Sequence, residues 1–149
     1  MKNIFINILI LFPIIINSQI PESILQLNKF DLNEGLKIQN DIREFHDLEK
    51  YILDDELSKK AQLWANHLAI IDSVKVSNDE YGECVFWVDI DYIYEYQKNL
   101  FKEASIHWIL AKGEEDESTY LQIISENSKK LGVGIASNQT GHYVVAKYD

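Results

Sequence analysis

Apolar residues recur along much of this chain at helical spacing, and between those stretches lie short runs with the bulk and alternation of strands. Leu57, Ala61, Trp64, Ala65 and Leu68 fall on one stripe, which predicts an amphipathic helix with that stripe against a core. Asp54 stands where it would cap the first turn, and Glu56 suits the N-terminal dipole. An earlier helix is predicted over about Asn33 to His46, where Ile38, Ile42 and Phe45 share a face and Lys37, Asp41 and Glu44 point outward. A third, about Gln97 to Lys112, lines up Leu100, Ala104, Trp108 and Ala111 and ends at the acidic run Gly113 to Glu117. Strands are predicted at Tyr81 to Val88, where Val85, Phe86 and Trp87 supply β-favouring bulk, and at Tyr120 to Ile124, Gly132 to Ala136 and Tyr143 to Lys147. The sum is an α+β domain, a three-layer α-β-α sandwich with a largely antiparallel central sheet.

The first residues do not fit that domain. Residues 1–18 open on Lys2 and continue through an apolar stretch, Ile4 to Ile16, broken only by Asn7 and Pro13 and closed by the small Ser18. This reads as a secretory signal peptide, too short for a comfortable membrane span, with an uncleaved anchor as the alternative. Residues 19–32, with Pro21 near their start and no sustained period, are expected to be a flexible lead. The domain then occupies 33–149, a length that buries a core without disulfides.

Charge narrows the partners. With 14 Lys and Arg against 24 Asp and Glu the formal net charge is −10, and loss of Lys2 with the leader makes the mature chain one unit more acidic. Nucleic acid and anionic membrane surfaces would repel it. A solvated acidic surface is the plain reading, and a basic partner the sharper one. From Asp89 to Tyr96 acids interleave with tyrosines, either as a contact patch or as a loop covering the core edge. Cys84 is the single cysteine, so no internal disulfide forms although the export route is oxidising, and it reads as a small buried hydrophobe on a strand. Asn138, Gln139 and Thr140 make an N-glycosylation sequon at a predicted hairpin tip. His67 flanks the second helix stripe and reads as structural.

Several motifs occur in a familiar order. Gln39, Asn40, Arg43 and His46 resemble a His-Asn-x-x-Arg-x-x-His helix in which Gln39 has replaced the first His. Leu57, Ala61, Gln62, Trp64, Ala65 and Leu68 follow, then Gly82, Glu83 and Trp87, which resemble Gly-Glu-Asn-x-x-Trp with Cys84 in the Asn place. The run Lys129 to Ala136 and Gly141 to Tyr148 resembles a closing hairpin. Together they resemble the CAP superfamily of cysteine-rich secretory proteins, insect antigen 5 and plant pathogenesis-related proteins of group one, from about Leu32 to the end.

The resemblance implies the α-β-α sandwich and export. It also implies, in the members that bind metal, a cleft of two histidines and two acids. Carried over by position, those fall on Val76, Thr119, Ala111 and Glu83, so only Glu83 survives, and no metal or other cofactor is expected. His107, one turn before Ala111, is expected to share a remnant cleft with Glu83. No placed nucleophile, paired histidine or base supports a hydrolase, so the chain is not expected to be an enzyme. The expected function is extracellular binding of an unidentified protein partner, as a monomer or weak dimer. The alternative is sterol or fatty-acid carriage in a groove lined by Trp64, Leu68, Trp108 and Ile109, whose other reading is ordinary core.

Overall fold

The computed structural model describes the backbone of residues 22–91 and 99–149, with side chains from 32 onward in the first of these. The expected signal peptide and most of the tyrosine-rich segment after Asp91 lie outside the described residues. Eight elements follow in order: α1 (Glu22–Phe45), β1 (Ile52–Leu53), α2 (Asp55–Ile71), β2 (Gly82–Asp89), α3 (Leu100–Leu110), α4 (Ser118–Ile123), β3 (Lys130–Ser137) and β4 (Gly141–Tyr148). The strands form one sheet in the order β1-β3-β4-β2. β4 pairs antiparallel with both β3 and β2, whereas β1 joins β3 in parallel, so the sheet is mixed.

Alternation along the strands sorts side chains onto two faces. Val85, Ala136, Tyr143 and Val145 pack with Ala61, Ala65 and Leu68 of α2. Cys84, Val133, Val144, Ala146 and Tyr148 pack with Phe101, Ala104 and Trp108 of α3, and Leu36 and Ile42 of α1 close the same side. These are the three expected layers. α2 begins as predicted: Asp54 Oδ1 accepts the Leu57 amide at 2.9 Å.

Gly132 and Gly134 allow α2 to lie almost on the backbone of β3. A Cβ on Gly132 would stand 2.2 Å from the Leu57 carbonyl carbon, and one on Gly134 would stand 2.2 Å from the Gln62 nitrogen. That closeness serves the edge of β3, because β1 pairs with only Lys130 and Leu131. Beyond them, Ser58 Oγ accepts the Val133 amide at 3.2 Å, and Gln62 accepts from the Ile135 amide at 3.0 Å and donates to its carbonyl at 2.7 Å. Two helix side chains thus satisfy backbone groups that a longer β1 would have paired.

Four expectations are corrected. Tyr120 to Ile124 is not a strand but lies in and just after the helix α4, and its buried residues Tyr120 and Ile123 are three apart, with Leu121 exposed between them. Their β-favouring bulk misled because tertiary packing overrides propensity. The helix expected from Asn33 starts at Glu22, so the expected flexible lead is helical from that residue. Its fully buried positions are Gly35, Gln39 and Arg43; of the three expected residues Ile42 packs on the core only partly buried, Ile38 is half-buried and Phe45 is 78% exposed. The third helix begins at Leu100, and its buried face is Phe101, Ala104, Ser105 and Trp108.

The polar face of α1 is held by specific bonds. Arg43 is 1% exposed. Its Nε donates to the Glu49 carbonyl at 2.6 Å, Nη1 to those of Ile123 and Ser125 at 2.8 Å each, and Nη2 to that of Ser128 at 3.0 Å. Its guanidinium carbon lies 3.8 Å from the Tyr51 ring centroid. Asn40 clamps both backbone groups of Tyr51, accepting the amide at 2.7 Å and donating to the carbonyl at 3.1 Å. Gln39, fully buried, donates to Ser105 Oγ at 3.1 Å and accepts the Tyr148 hydroxyl at 3.2 Å, so it ties α1 to α3 and β4.

Replacing Arg43 with Met leaves four carbonyls without a donor, two of them buried with the side chain. The expected cost is at least about 3 kcal/mol, read as a lowered urea midpoint with an unchanged slope; a loss under about 1 kcal/mol would mean that water replaces the guanidinium readily.

Candidate functional site

The four positions carried over from the family cleft fall on β2 (Glu83), just after α3 (Ala111), on α4 (Thr119) and in the loop between α2 and β2 (Val76). Glu83 is the acid carried by β2. Its register partner on β4 is Lys147, so the two side chains leave the same face of the sheet. Lys147 Nζ stands 2.5 Å from Glu83 Oε2, 2.7 Å from Asp79 Oδ2 and 2.8 Å from Ser77 Oγ. Glu83 also accepts the Ser77 amide at Oε1 and the Ser77 hydroxyl at Oε2, each at 2.7 Å. Val76, in the position of the first cleft histidine, directly precedes Ser77 and is exposed.

His107 does not join this cluster. It is exposed on α3 and packs against Phe86, ring centroids 5.2 Å apart. Phe86 belongs to the α1/α3 face, whereas Glu83 and Lys147 leave the sheet on the α2 face. The remnant pair expected from helical spacing is therefore split by strand alternation. Thr119 uses its hydroxyl to donate to the Trp108 carbonyl at 3.3 Å, and its own carbonyl lies 3.7 Å from Cys84 Sγ. His46 and Tyr120 meet through Nε2 and the phenol at 2.7 Å, joining α1 to α4.

These residues do not fit a metal. The one carboxylate of the family set is already held by an ammonium and a serine, and Val76, Thr119 and Ala111 offer no ligand of the kind the cleft requires. No group of three or more His, Cys, Asp or Glu among the described residues is arranged to hold a metal ion. Cys84 is fully buried, and burial pushes its thiol up to about 12, far from a reactive thiolate.

The four residues expected to line one lipid groove are divided between two faces: Trp64 and Leu68 on α2, Trp108 and Ile109 on α3. Leu68 and Trp108 are core. Ile109 instead borders a shallow groove of about 230 Å³ between α1 and α3, with Ile38, Asp41, Ile42, Ile106 and Leu110. A second apolar region, which periodicity alone did not flag, lies on the outer side of α2. Leu63 is 71% and Ile70 82% exposed, and Val74 and Val76 are exposed in the loop that follows the helix. Beside them Trp64 stacks on His67 with centroids 4.8 Å apart and donates its indole N–H to the Lys75 carbonyl at 3.1 Å.

At the hairpin tip, Asn138 is bound on both sides of its amide. Its nitrogen donates to the Ala69 carbonyl and to Asp72 Oδ1, each at 2.9 Å. Its oxygen accepts from Thr140 N and Gly141 N. Asp72, left-handed at the end of α2, also accepts the Thr140 hydroxyl and the Tyr143 phenol. Hydrogen bonds from Thr140, Tyr143 and Asn138 hold its carboxyl down to about 2, against an ordinary 3.8.

Fold and site together define a three-layer α-β-α domain whose cleft carboxylate is paired within the chain. The model of the CAP family, the cysteine-rich secretory protein family, matches residues 36–148, and the chain belongs to that family. Among solved structures it is similar to NaASP2 in a structure with Zn²⁺, at 17% identity and a TM-score of 0.67, over 78% of this chain and 77% of the other. It is similar to hookworm platelet inhibitor, at 18% identity and a TM-score of 0.60, over 78% of this chain and 67% of the other. It is also similar to an outer surface protein from Borrelia burgdorferi, at 14% identity and a TM-score of 0.57, over 81% of this chain and 93% of the other. No curated protein matches the sequence.

Because the Asp72 carboxyl is depressed in the folded state, its contribution is present above about 4 and lost as pH falls through about 2. Thermal melting of the wild type and Asp72→Asn should differ most above about pH 4 and converge towards about pH 2; a difference that stays constant over that range would show that folding does not depress the Asp72 carboxyl.

Proposed function

We propose that this chain is an exported, non-catalytic binding protein that recognises a protein partner through the outer side of α2 and the loop after it. The observation that carries this reading is the run of exposed Leu63, Ile70, Val74 and Val76 around the Trp64–His67 stack. Isolated apolar residues on a surface are ordinary; bulky ones gathered on one helix side and its following loop form a patch. The helix side of the patch is also poor in acids although the chain is acidic. Lys59, Lys60 and Lys75 flank it, and no Asp or Glu occurs from Leu57 to Ile71. That combination suits an apolar partner surface with an acidic rim. Trp64 is already fixed by His67 and Lys75, so little side-chain freedom is lost on contact.

Export rests on residues 1–18 and on the family; no helix among the described residues is long and apolar enough to cross a membrane. A glycan on Asn138 would take one of the two amide hydrogens that now bind Ala69 and Asp72. No catalytic role is assigned, because the cleft carboxylate is paired and the thiol is buried.

Lipid carriage is the second reading, and the groove beside Ile109 favours it. That groove is small and open, which suits a short acyl segment better than an enclosed sterol.

The test places a photoreactive residue at Asn66, exposed on the α2 face, and crosslinks the secreted protein to extracellular proteins from its source. A single partner is expected, with affinity falling at least tenfold, about 1.4 kcal/mol, in Leu63→Glu/Ile70→Glu at an unchanged melting temperature. A partner bound equally well by the double variant would overturn the surface. A lipid mass seen by native mass spectrometry and abolished by Ile109→Trp would put the groove first.

A further inference from the structure

Lys147 is the least expected charge in the molecule. It sits near the end of β4 with 1% of its side chain exposed, and Glu83 beside it is 4% exposed. A buried ammonium is costly unless each of its three hydrogens finds an acceptor. Here each does: Glu83 Oε2, Asp79 Oδ2 and Ser77 Oγ surround Nζ at 2.5 to 2.8 Å. Three oxygens from two separate segments converge on one positive centre. Glu83 comes from the sheet, whereas Ser77 and Asp79 come from the loop between α2 and β2, which has no helix or strand of its own.

Two further bonds bind the same loop to the same carboxylate, the Ser77 amide and hydroxyl on Glu83. At its other end the loop is held by Trp64 on the Lys75 carbonyl. The connection thus hangs on one indole and one cluster organised around a cation, and the residues of this cleft do not fit a metal.

The geometry points to Lys147 as a tethered cation that occupies the Glu83 carboxylate and fastens the Ser73–Tyr81 loop to the sheet. Lys147 and Glu83 being register partners, the cation is delivered by the hairpin itself and cannot dissociate. Two consequences follow. Glu83 is already neutralised by an ammonium and committed to three donors, so it offers a divalent ion little, and the loop is ordered without one. The inference is independent of what the α2 face binds, since it concerns how the loop carrying Val74 and Val76 is held.

Hydrogen exchange of the full-length secreted chain tests it, with Zn²⁺ alone as the probe. In Lys147→Met, amides from Ser77 to Tyr81 should exchange at least tenfold faster, with the α1 and α3 amides unchanged. Should that variant not fold, Asp79→Asn keeps the buried Lys147–Glu83 pair and should still speed the same amides severalfold. Equimolar Zn²⁺ should change neither the melting temperature nor the exchange of the wild type. Unchanged loop exchange in the variants would overturn the fastening role. Zn²⁺ stabilising the wild type but not Glu83→Gln would overturn the tethered cation and show a metal site after all.

Discussion

The arrangement of helices against strands depends on a guanidinium buried without a carboxylate. Arg43 leaves the last turn of α1 and meets four backbone carbonyls, of Glu49, Ile123, Ser125 and Ser128. Its charge is met by the C-terminal dipole of α4, by carbonyls of the loop after it and by the Tyr51 ring. Arg suits this better than Lys because its donors diverge in a fixed plane and reach several segments at once. The segments it reaches are the ones that enter the sheet. Glu49 precedes β1 and Ser128 precedes β3, while Asn40, one turn earlier, clamps Tyr51 next to Ile52. Neighbouring strands are therefore placed by one stretch of one helix, and the parallel pairing of β1 with β3 follows from it.

That construction explains which elements were legible from sequence. The α2 stripe was plain because its core face is purely apolar and its cap is local, Asp54 to Leu57. The β3–β4 hairpin and β2 were plain because their bulk alternates across a sheet with both faces covered. The face of α1 was misread because its buried centre is Gln39 and Arg43, which hydropathy assigns to water; only the motif resemblance marked them as landmarks. α4 was misread because six residues carry too little period to outweigh the bulk of Tyr120, Ile123 and Ile124. β1 has two residues and no signature at all. At the site, Glu83 was legible as a residue but not its partner, because Lys147 becomes its neighbour only through a register that eight strand pairs establish. His107 was paired with Glu83 by helical spacing alone, a rule that is blind to which side of the sheet a strand residue takes.

The edge of β3 is completed in a similar way, by side chains of a neighbouring helix. Where an extra strand would have continued, Ser58 and Gln62 of α2 bond Val133 and Ile135, and Gly132 and Gly134 bring the helix close enough to do so. A side chain at either glycine would push α2 off the sheet and strip those backbone groups of partners. The helix that carries the exposed apolar surface is thereby seated on backbone as well as on packing, which makes its outer side a firm platform.

The charged and polar groups around β2 are held as firmly as that platform. The carboxylate of Glu83 is paired with Lys147, the thiol of Cys84 is pushed up to about 12, and His107 lies across the sheet from the acid it would have to work with. What the ion cluster does supply is position. Lys147 draws Ser77 and Asp79 down onto the sheet, and the exposed Val74 and Val76 are carried in the same short loop. The Glu83–Lys147 cluster and the loop that carries Val74 and Val76 are thus parts of one structure, ordered from the sheet.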